Sequence, residues 1–330
     1  MEIKSLLKNS LLIAALTTAF TASAFEYNGV IYDPIDDNTC KVGKNGTGFS
    51  SLDLTFPETA YDGEKAYTLV EIGDDAFNGS QFLRGSVFIP ATVKKIGSAA
   101  FRYTGSSNAP LKVTIAGEDV VIGDNAFDNA KMDELNITGT VKKIGTGSGA
   151  VFYATQMTQL VFPEGLETID GFGSFGASTK LTKVEFPSTL VNAGHISFMS
   201  CNALTEVICK ATTPPAMFFP GGQLFSGSAP KNAILYVPAG TETAYGAADG
   251  WKQFPTIKAI VETGVAANRV NGAKVTARGG VINVEGAEGD VEVYNAVGQL
   301  LYKGAADAIS VAGKGVHIVK VNGKAVKVAL

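Results

Sequence analysis

The chain has little of what most catalytic and metal-binding sites are built from. Among its 330 residues only two are His and three are Cys. General bases and His/Cys metal centres therefore have little to draw on. Three Cys are too few for a disulfide scaffold, and an odd number leaves at least one thiol without an intramolecular partner. Charged residues make up 18% of the chain and the net charge is −4. That charged share is below the usual ~25%, and the balance argues against nucleic acid, which needs a basic face. No stretch after the N-terminal segment reaches the ~20 apolar residues of a membrane helix. Apolar residues at 45% exclude disorder. The sequence also has no Walker A motif, no G-x-G-x-x-G after a strand and no H-E-x-x-H, so neither a cofactor nor a metal is expected. What is present in excess is Gly, at 38 residues, well above the usual ~7%. The chain reads as ordered, turn-rich and mainly β.

Residues 1–24 read as a secretory signal. Lys4 and Lys8 form a basic start, Leu11–Ala19 a short apolar run, and Ala22-Ser23-Ala24 a small-x-small cleavage site before Phe25. The expected cleavage residues are thus Ala22, Ala24 and Phe25, and the expected location is secreted or at the cell surface.

The middle of the chain repeats. Ile-Gly-x-x-Ala-Phe occurs as IGDDAF (72–77), IGSAAF (96–101) and IGDNAF (122–127). Looser copies are IGTGSGAVF (144–152), IDGFGSF (169–175) and AGHISF (193–198). The Phe residues at 77, 101, 127, 152, 175 and 198 are spaced by 24, 26, 25, 23 and 23. A second pattern, apolar-x-x-apolar-x-apolar, keeps the same period in MDELNI (132–137), MTQLVF (157–162), LTKVEF (181–186) and LTEVIC (204–209). Its last three positions alternate like a strand. Pro90, Pro163 and Pro187 follow three of these strands, where a missing N–H does least harm.

A single coil of this kind cannot bury its own apolar edge, so coils must stack into a parallel sheet over a continuous core. The Phe side chains should form an interior ladder, and the Gly a turn that a Cβ would resist.

The pattern Leu-x-x-Val-x-Phe-Pro followed by Leu-x-x-Ile-Gly-x-x-Ala-Phe, as in LTKVEFPSTL (181–190) and LVEIGDDAF (69–77), resembles the BspA-like (Treponema pallidum-type) leucine-rich repeat family of bacterial surface proteins. The resemblance implies a right-handed leucine-rich repeat solenoid with a parallel sheet, here of about six coils, and a non-enzymatic role in adhesion. It also implies an N-terminal cap over 25–66, repeats over 67–210 and a closing cap over 211–261. Coil four carries an insertion at Thr146–Ala150, and coil six has Ala193 where Ile is expected.

After a small-residue linker, residues 262–330 show short alternating strands with turn signals at Gly279-Gly280 and Asn322-Gly323. They read as a small β-sandwich. VEVYNAVGQLLYKG and GVHIVKVNGKAVKV resemble the C-terminal sorting domain of Bacteroidetes type IX secretion cargo, with His317 at the usual Tyr. Eight Lys/Arg against six Asp/Glu make this segment basic, so the acidity resides in the repeats.

Alternation sets the faces. If Val87/Ile89 and their equivalents point inward, then Phe88, Thr114, Asn136, Val161, Glu185 and Ile208 point outward. These six are the candidate contact residues for a host or bacterial surface protein. Flanking Lys112/Glu134 and Lys183/Glu206 should pair across adjacent coils. A glycan-binding accessory is the alternative, with Tyr103, Phe218, Phe219 and Tyr245 as sugar platforms. Lys94/Lys95 and Lys142/Lys143 read as a solvated edge in preference to an anion-binding face. His195 near Ser197, Ser200 and Cys201 is the only grouping resembling a nucleophile and base. The repeat places it in a turn, where a structural role is expected. Cys201 and Cys209 are expected as buried thiols, a disulfide between them being the alternative. Asp74, Asp75 and Asp124 are turn residues whose local hydrogen bonding explains them better than calcium does.

Overall fold

The computed structural model describes residues 23–147, 149–227, 229–260, 268–278, 280–287, 289–305, 308–311 and 315–329. Most of the signal segment, Ala22 included, lies outside them. The chain divides into two compact units, one ending at Ile260 and the other starting at Val261.

The first unit is a β-solenoid. One long sheet holds the strands Thr39–Val42, Ala66–Ile72, Lys95–Ile96, Val120–Ile122, Val141–Ile144, Thr168–Ile169, Asn192–Ala193 and Ala216–Met217 in that order. Each pairs in parallel with the next. The antiparallel strands Phe25–Tyr27 and Val30–Pro34 cover its first edge. Eight coils at ~4.8 Å per strand make a stack about 34 Å long.

Six coils were expected, and eight are present. The first coil starts at Thr39 and the last includes Ala216–Met217, both within segments that read as caps. The reason is a longer turn at each end. Phe49 and Phe225 fill the same ladder as the other Phe residues but lack Ile-Gly-x-x-Ala before them. From Phe77 to Phe198 consecutive rings stack at 5.2–5.9 Å between centroids. All six are fully buried.

The repeated Gly acts by close approach more than by unusual backbone angles. A Cβ on Gly73 would lie 2.4 Å from the Val42 carbonyl oxygen, and one on Gly97 would lie 2.7 Å from the Gly73 carbonyl carbon. Left-handed positions fall two residues either side of the Phe, at Asp75, Ala99, Asn125, Gly173 and Ile196 before it, and at Gly79, Tyr103, Asn129, Ala154, Ala177 and Ser200 after it.

The facing side of the solenoid carries two sheets. Ser50–Thr55, Phe82–Ile89, Leu111–Ile115 and Met132–Ile137 form one. Gln159–Val161, Lys183–Phe186, Glu206–Cys209, Ile234–Val237 and Thr256–Ala259 form the other. The break falls between Met132–Ile137 and Gln159–Val161. The coil leading into Gln159–Val161 is the one carrying the insertion at Thr146–Ala150.

At its C-terminal end Trp251 is fully buried and donates its indole N–H to the Pro215 carbonyl at 2.8 Å. Its ring meets Phe186 and Tyr245 edge-on. No described helix is long and apolar enough to cross a membrane.

The second unit consists of two four-stranded antiparallel sheets. Val275, Ile282, Val293, Ile309 and Val319 are among its core residues. His317 is buried within strand Val316–Val321, its Nδ1 3.1 Å from the Gly315 carbonyl oxygen.

Candidate functional site

Strand alternation places the six candidate residues on the outside. Val87, Ile89, Val113, Ile115, Val184, Phe186, Val207 and Cys209 are buried, while Leu135 and Ile137 are partly buried against the core. Between them Phe88 is 37% and Val161 48% exposed. Asn136 is exposed, and Thr114, Glu185 and Ile208 are half-buried.

The register brings these residues together in two groups. Phe88 pairs with Thr114, and Thr114 with Asn136. Val161 pairs with Glu185, and Glu185 with Ile208. No pairing joins Asn136 to Val161, so the six do not form one column. The first group continues to Thr55, and the second to Tyr236 and Lys258. Glu185 is engaged, with Lys210 Nζ at 2.6 Å. The flanking pairs Lys112–Glu134 and Lys183–Glu206 close at 3.4 and 2.7 Å. Such exposed pairs contribute roughly 0–1 kcal/mol each.

The lysines of the opposite sheet face are also paired. Lys95 lies 2.9 Å from Glu71, Lys142 3.9 Å from Glu167 and Lys143 2.6 Å from Asp170. Lys94 donates to the Glu118 carbonyl at 3.1 Å. These contacts tie one coil to the next.

His195 is not poised as a base for Cys201. Its Nδ1 accepts the Gln223 backbone N–H at 3.1 Å, and its ring packs between Phe172 and Phe219. Burial holds its pKa below the ordinary histidine value. Cys201 instead donates to the Phe175 carbonyl at 3.1 Å, and burial pushes its thiol up to about 12. Cys40, Cys201 and Cys209 are all free and buried, so Cys201 and Cys209 form no disulfide.

The turn acids serve as acceptors between coils. Asp74 Oδ1 accepts the Ser98 N–H at 2.7 Å, and Asp124 Oδ1 accepts those of Thr146 and Gly147 at 2.7 and 3.0 Å. Asp75 meets Lys44 at 3.1 Å. No described group of His, Cys, Asp and Glu has metal-site geometry.

Of the proposed sugar platforms, Tyr245 is fully buried, and its hydroxyl donates to the Ala211 carbonyl at 2.8 Å. It cannot contact a ligand in this state. Tyr103 is 46% exposed, and Phe218 and Phe219 are exposed. Tyr103 lines a cleft of about 360 Å³ together with Phe82, Arg84, Asn129 and Lys131. Sequence reasoning passed over Phe82 and Arg84 because only Val87–Ile89 of their strand fits the repeat. The signal was the outward alternation of QFLR (81–84), with Leu83 buried between two exposed neighbours.

Comparison with known proteins follows the same segment. Residues 64–148 and 146–219 match the sequence profile of the BspA type leucine rich repeat region in six copies. Among solved structures, a leucine-rich repeat protein from Bacteroides ovatus is 20% identical with a TM-score of 0.46. The match covers 71% of this chain and 64% of that protein. The Treponema pallidum leucine-rich repeat protein is 23% identical with a TM-score of 0.45, over 53% of this chain and 77% of that one. A leucine rich cell surface protein from Faecalibacterium prausnitzii is 14% identical with a TM-score of 0.30, over 73% of this chain and 95% of that one. No curated protein matches the chain. The six matched copies of the BspA type leucine rich repeat region lie within the eight stacked coils, over residues 64–219 of this chain.

Proposed function

We propose that the chain works at the cell surface as a non-catalytic binding protein whose partner is a host or bacterial surface protein. The observation carrying this reading is the pair of outward rows on the facing sheets. Each sets solvent-facing side chains at strand spacing on a rigid stack, and Phe88 and Val161 add exposed apolar surface. Solenoids bind through such repeated surfaces, with many small contacts summing over several coils. The export signal read in residues 1–24 supports the location. A carbohydrate-binding role is the second reading, supported by the exposed aromatics Phe82 and Tyr103 in one cleft.

The test is photo-crosslinking on the native cell, with a benzophenone side chain at position 88, 161 or 208. A discrete adduct from these positions is expected, and none from a probe at Lys94 on the other sheet. The combined variant Phe88→Ser, Val161→Ser, Ile208→Ser should abolish the adduct while keeping the fold. Equal adducts from every position would sink the assignment.

A further inference from the structure

We propose that the cleft between Phe82 and Tyr103 binds a carboxylated sugar, the acidic residue of a glycan. This gives the carbohydrate reading a specific chemistry and does not depend on the sheet-face rows.

The first argument is charge. Arg84 and Lys131 line the cleft, and no Asp or Glu does. Neither cation is in an ion pair among the described residues, whereas Lys44, Lys95, Arg102, Lys112, Lys142, Lys143, Lys183 and Lys210 each are. In an acidic repeat segment, two cations without a carboxylate partner lining one cleft suit an incoming carboxylate. Arg84 matches it with a planar fork of donors.

The second argument is the aromatic surface. Phe82 is 54% and Tyr103 46% exposed, so neither is spent on the core. Tyr103 sits at φ +54°, where the equivalent positions hold Gly79, Asn129, Ala154, Ala177 and Ser200. A bulky side chain in the left-handed region is a backbone outlier, and such strain persists only where the surroundings hold it in place. Here Arg102 does so. Its guanidinium stacks 4.6 Å from the Tyr103 ring centroid and donates to the hydroxyl at 3.1 Å. Its Nε donates to Asp128 at 2.8 Å. The ring is thus braced by Arg102, half-exposed and part of the cleft lining. The C–H face of a pyranose packs against such a ring, while its hydroxyls reach polar side chains at the rim, here Gln81 and Asn129.

The third argument selects a sugar over an acidic peptide. Strand Phe82–Ile89 pairs with Ser50–Thr55 from Phe82 onward and with Leu111–Ile115 from Gly85 onward. Only Phe82–Arg84 lack a strand partner on one edge, a short stretch for an extended peptide to add as a strand. Recognition must come from side chains in a cleft of about 360 Å³, at the small end of ligand sites, which run ~300–1,000 Å³. Such a cleft takes a small ligand group and is far smaller than a protein interface.

The experiment is calorimetric titration of the full chain with a galacturonic acid tetramer, a hyaluronan tetramer and sialyllactose. Binding of at least one is expected. Methyl esterification of that ligand's carboxylate should weaken it by about tenfold or more. Arg84→Ser with Lys131→Ser should weaken it as much, and added salt should do so progressively. Tyr103→Asn should also lose binding while melting no lower than the parent, because Asn tolerates the left-handed region. Phe82→Ser separates the aromatic contribution from the charge. No binding to any of the three sugars would overturn the proposal. So would unchanged affinity after esterification or in the Arg84/Lys131 variant, or equal binding of a glutamate tetrapeptide. Crosslinking from positions 88, 161 and 208 is a separate readout, so failure of either reading leaves the other standing.

Discussion

Phe101 and Phe127 come from successive coils and lie with ring centroids 5.2 Å apart and planes 5° apart. Each ring is fully buried and flanked by two further rings of the ladder. Phe127→Ala removes a stacked partner on both sides and leaves a cavity, so a loss of about 3–5 kcal/mol is expected. Phe49 ends the ladder, touching Phe77 at 4.9 Å, and is only partly buried. In a stack whose stability is a sum over neighbours, Phe49→Ala should cost clearly less. Urea unfolding of both variants checks the order, and equal losses would contradict a nearest-neighbour ladder.

Two changes in one turn should have opposite signs. Ala99 adopts φ +54°, a conformation that costs an L-residue roughly 1–2 kcal/mol. Ala99→Gly relieves that strain but adds freedom to the unfolded chain, for a net gain of about 0.5–1 kcal/mol. Gly97→Ala places a methyl 2.6 Å from the Asp74 backbone nitrogen and should cost about 1–3 kcal/mol. Thermal melting of both distinguishes strain from crowding.

The thiols predict an alkaline weakness. Burial raises Cys40 and Cys201 to about 12 and Cys209 to about 11, from an ordinary 9.0. The folded state therefore holds these protons more tightly than the unfolded chain does. This contribution is fully present below pH 9 and is lost as pH rises toward the folded values. The melting temperature should fall between about pH 9 and 12, and less steeply when Cys40 is replaced by Ala. At neutral pH Ellman's reagent should modify none of the three thiols until the protein is unfolded.

Adjacent residues on one strand should respond differently. Val87 is fully buried and Phe88 is 37% exposed. Val87→Ser buries a hydroxyl in the core and should cost about 2 kcal/mol or more. Phe88→Ser should stay within about ±0.5 kcal/mol. Similar losses for the two would mean the register is wrong.

Much of the solenoid was legible because its information is local. The 23–26-residue spacing of Phe77 to Phe198 announces the ladder, and the alternation in LTKVEF tells Val184 from Glu185 without reference to any other coil. The ends were less legible. Phe49 and Phe225 do the same packing from longer turns, so six repeats were visible where eight coils stack. The candidate row was legible only as a face. Its division after Asn136 depends on whether two strands about 25 residues apart in sequence meet.

The sequence by itself determined the repeat, the buried and outward positions and the buried state of Cys201 and Cys209. Each follows from residue type and period within one coil. The tertiary structure decided the charge pairs beyond Lys112–Glu134 and Lys183–Glu206, the exposure of Phe82 and where the facing sheet breaks. Lys95 finds Glu71 and Lys143 finds Asp170 on neighbouring coils, whereas Arg84 and Lys131 have no ion-pair partner among the described residues. Those outcomes depend on cross-coil distances of a few ångströms, which one coil's pattern does not encode.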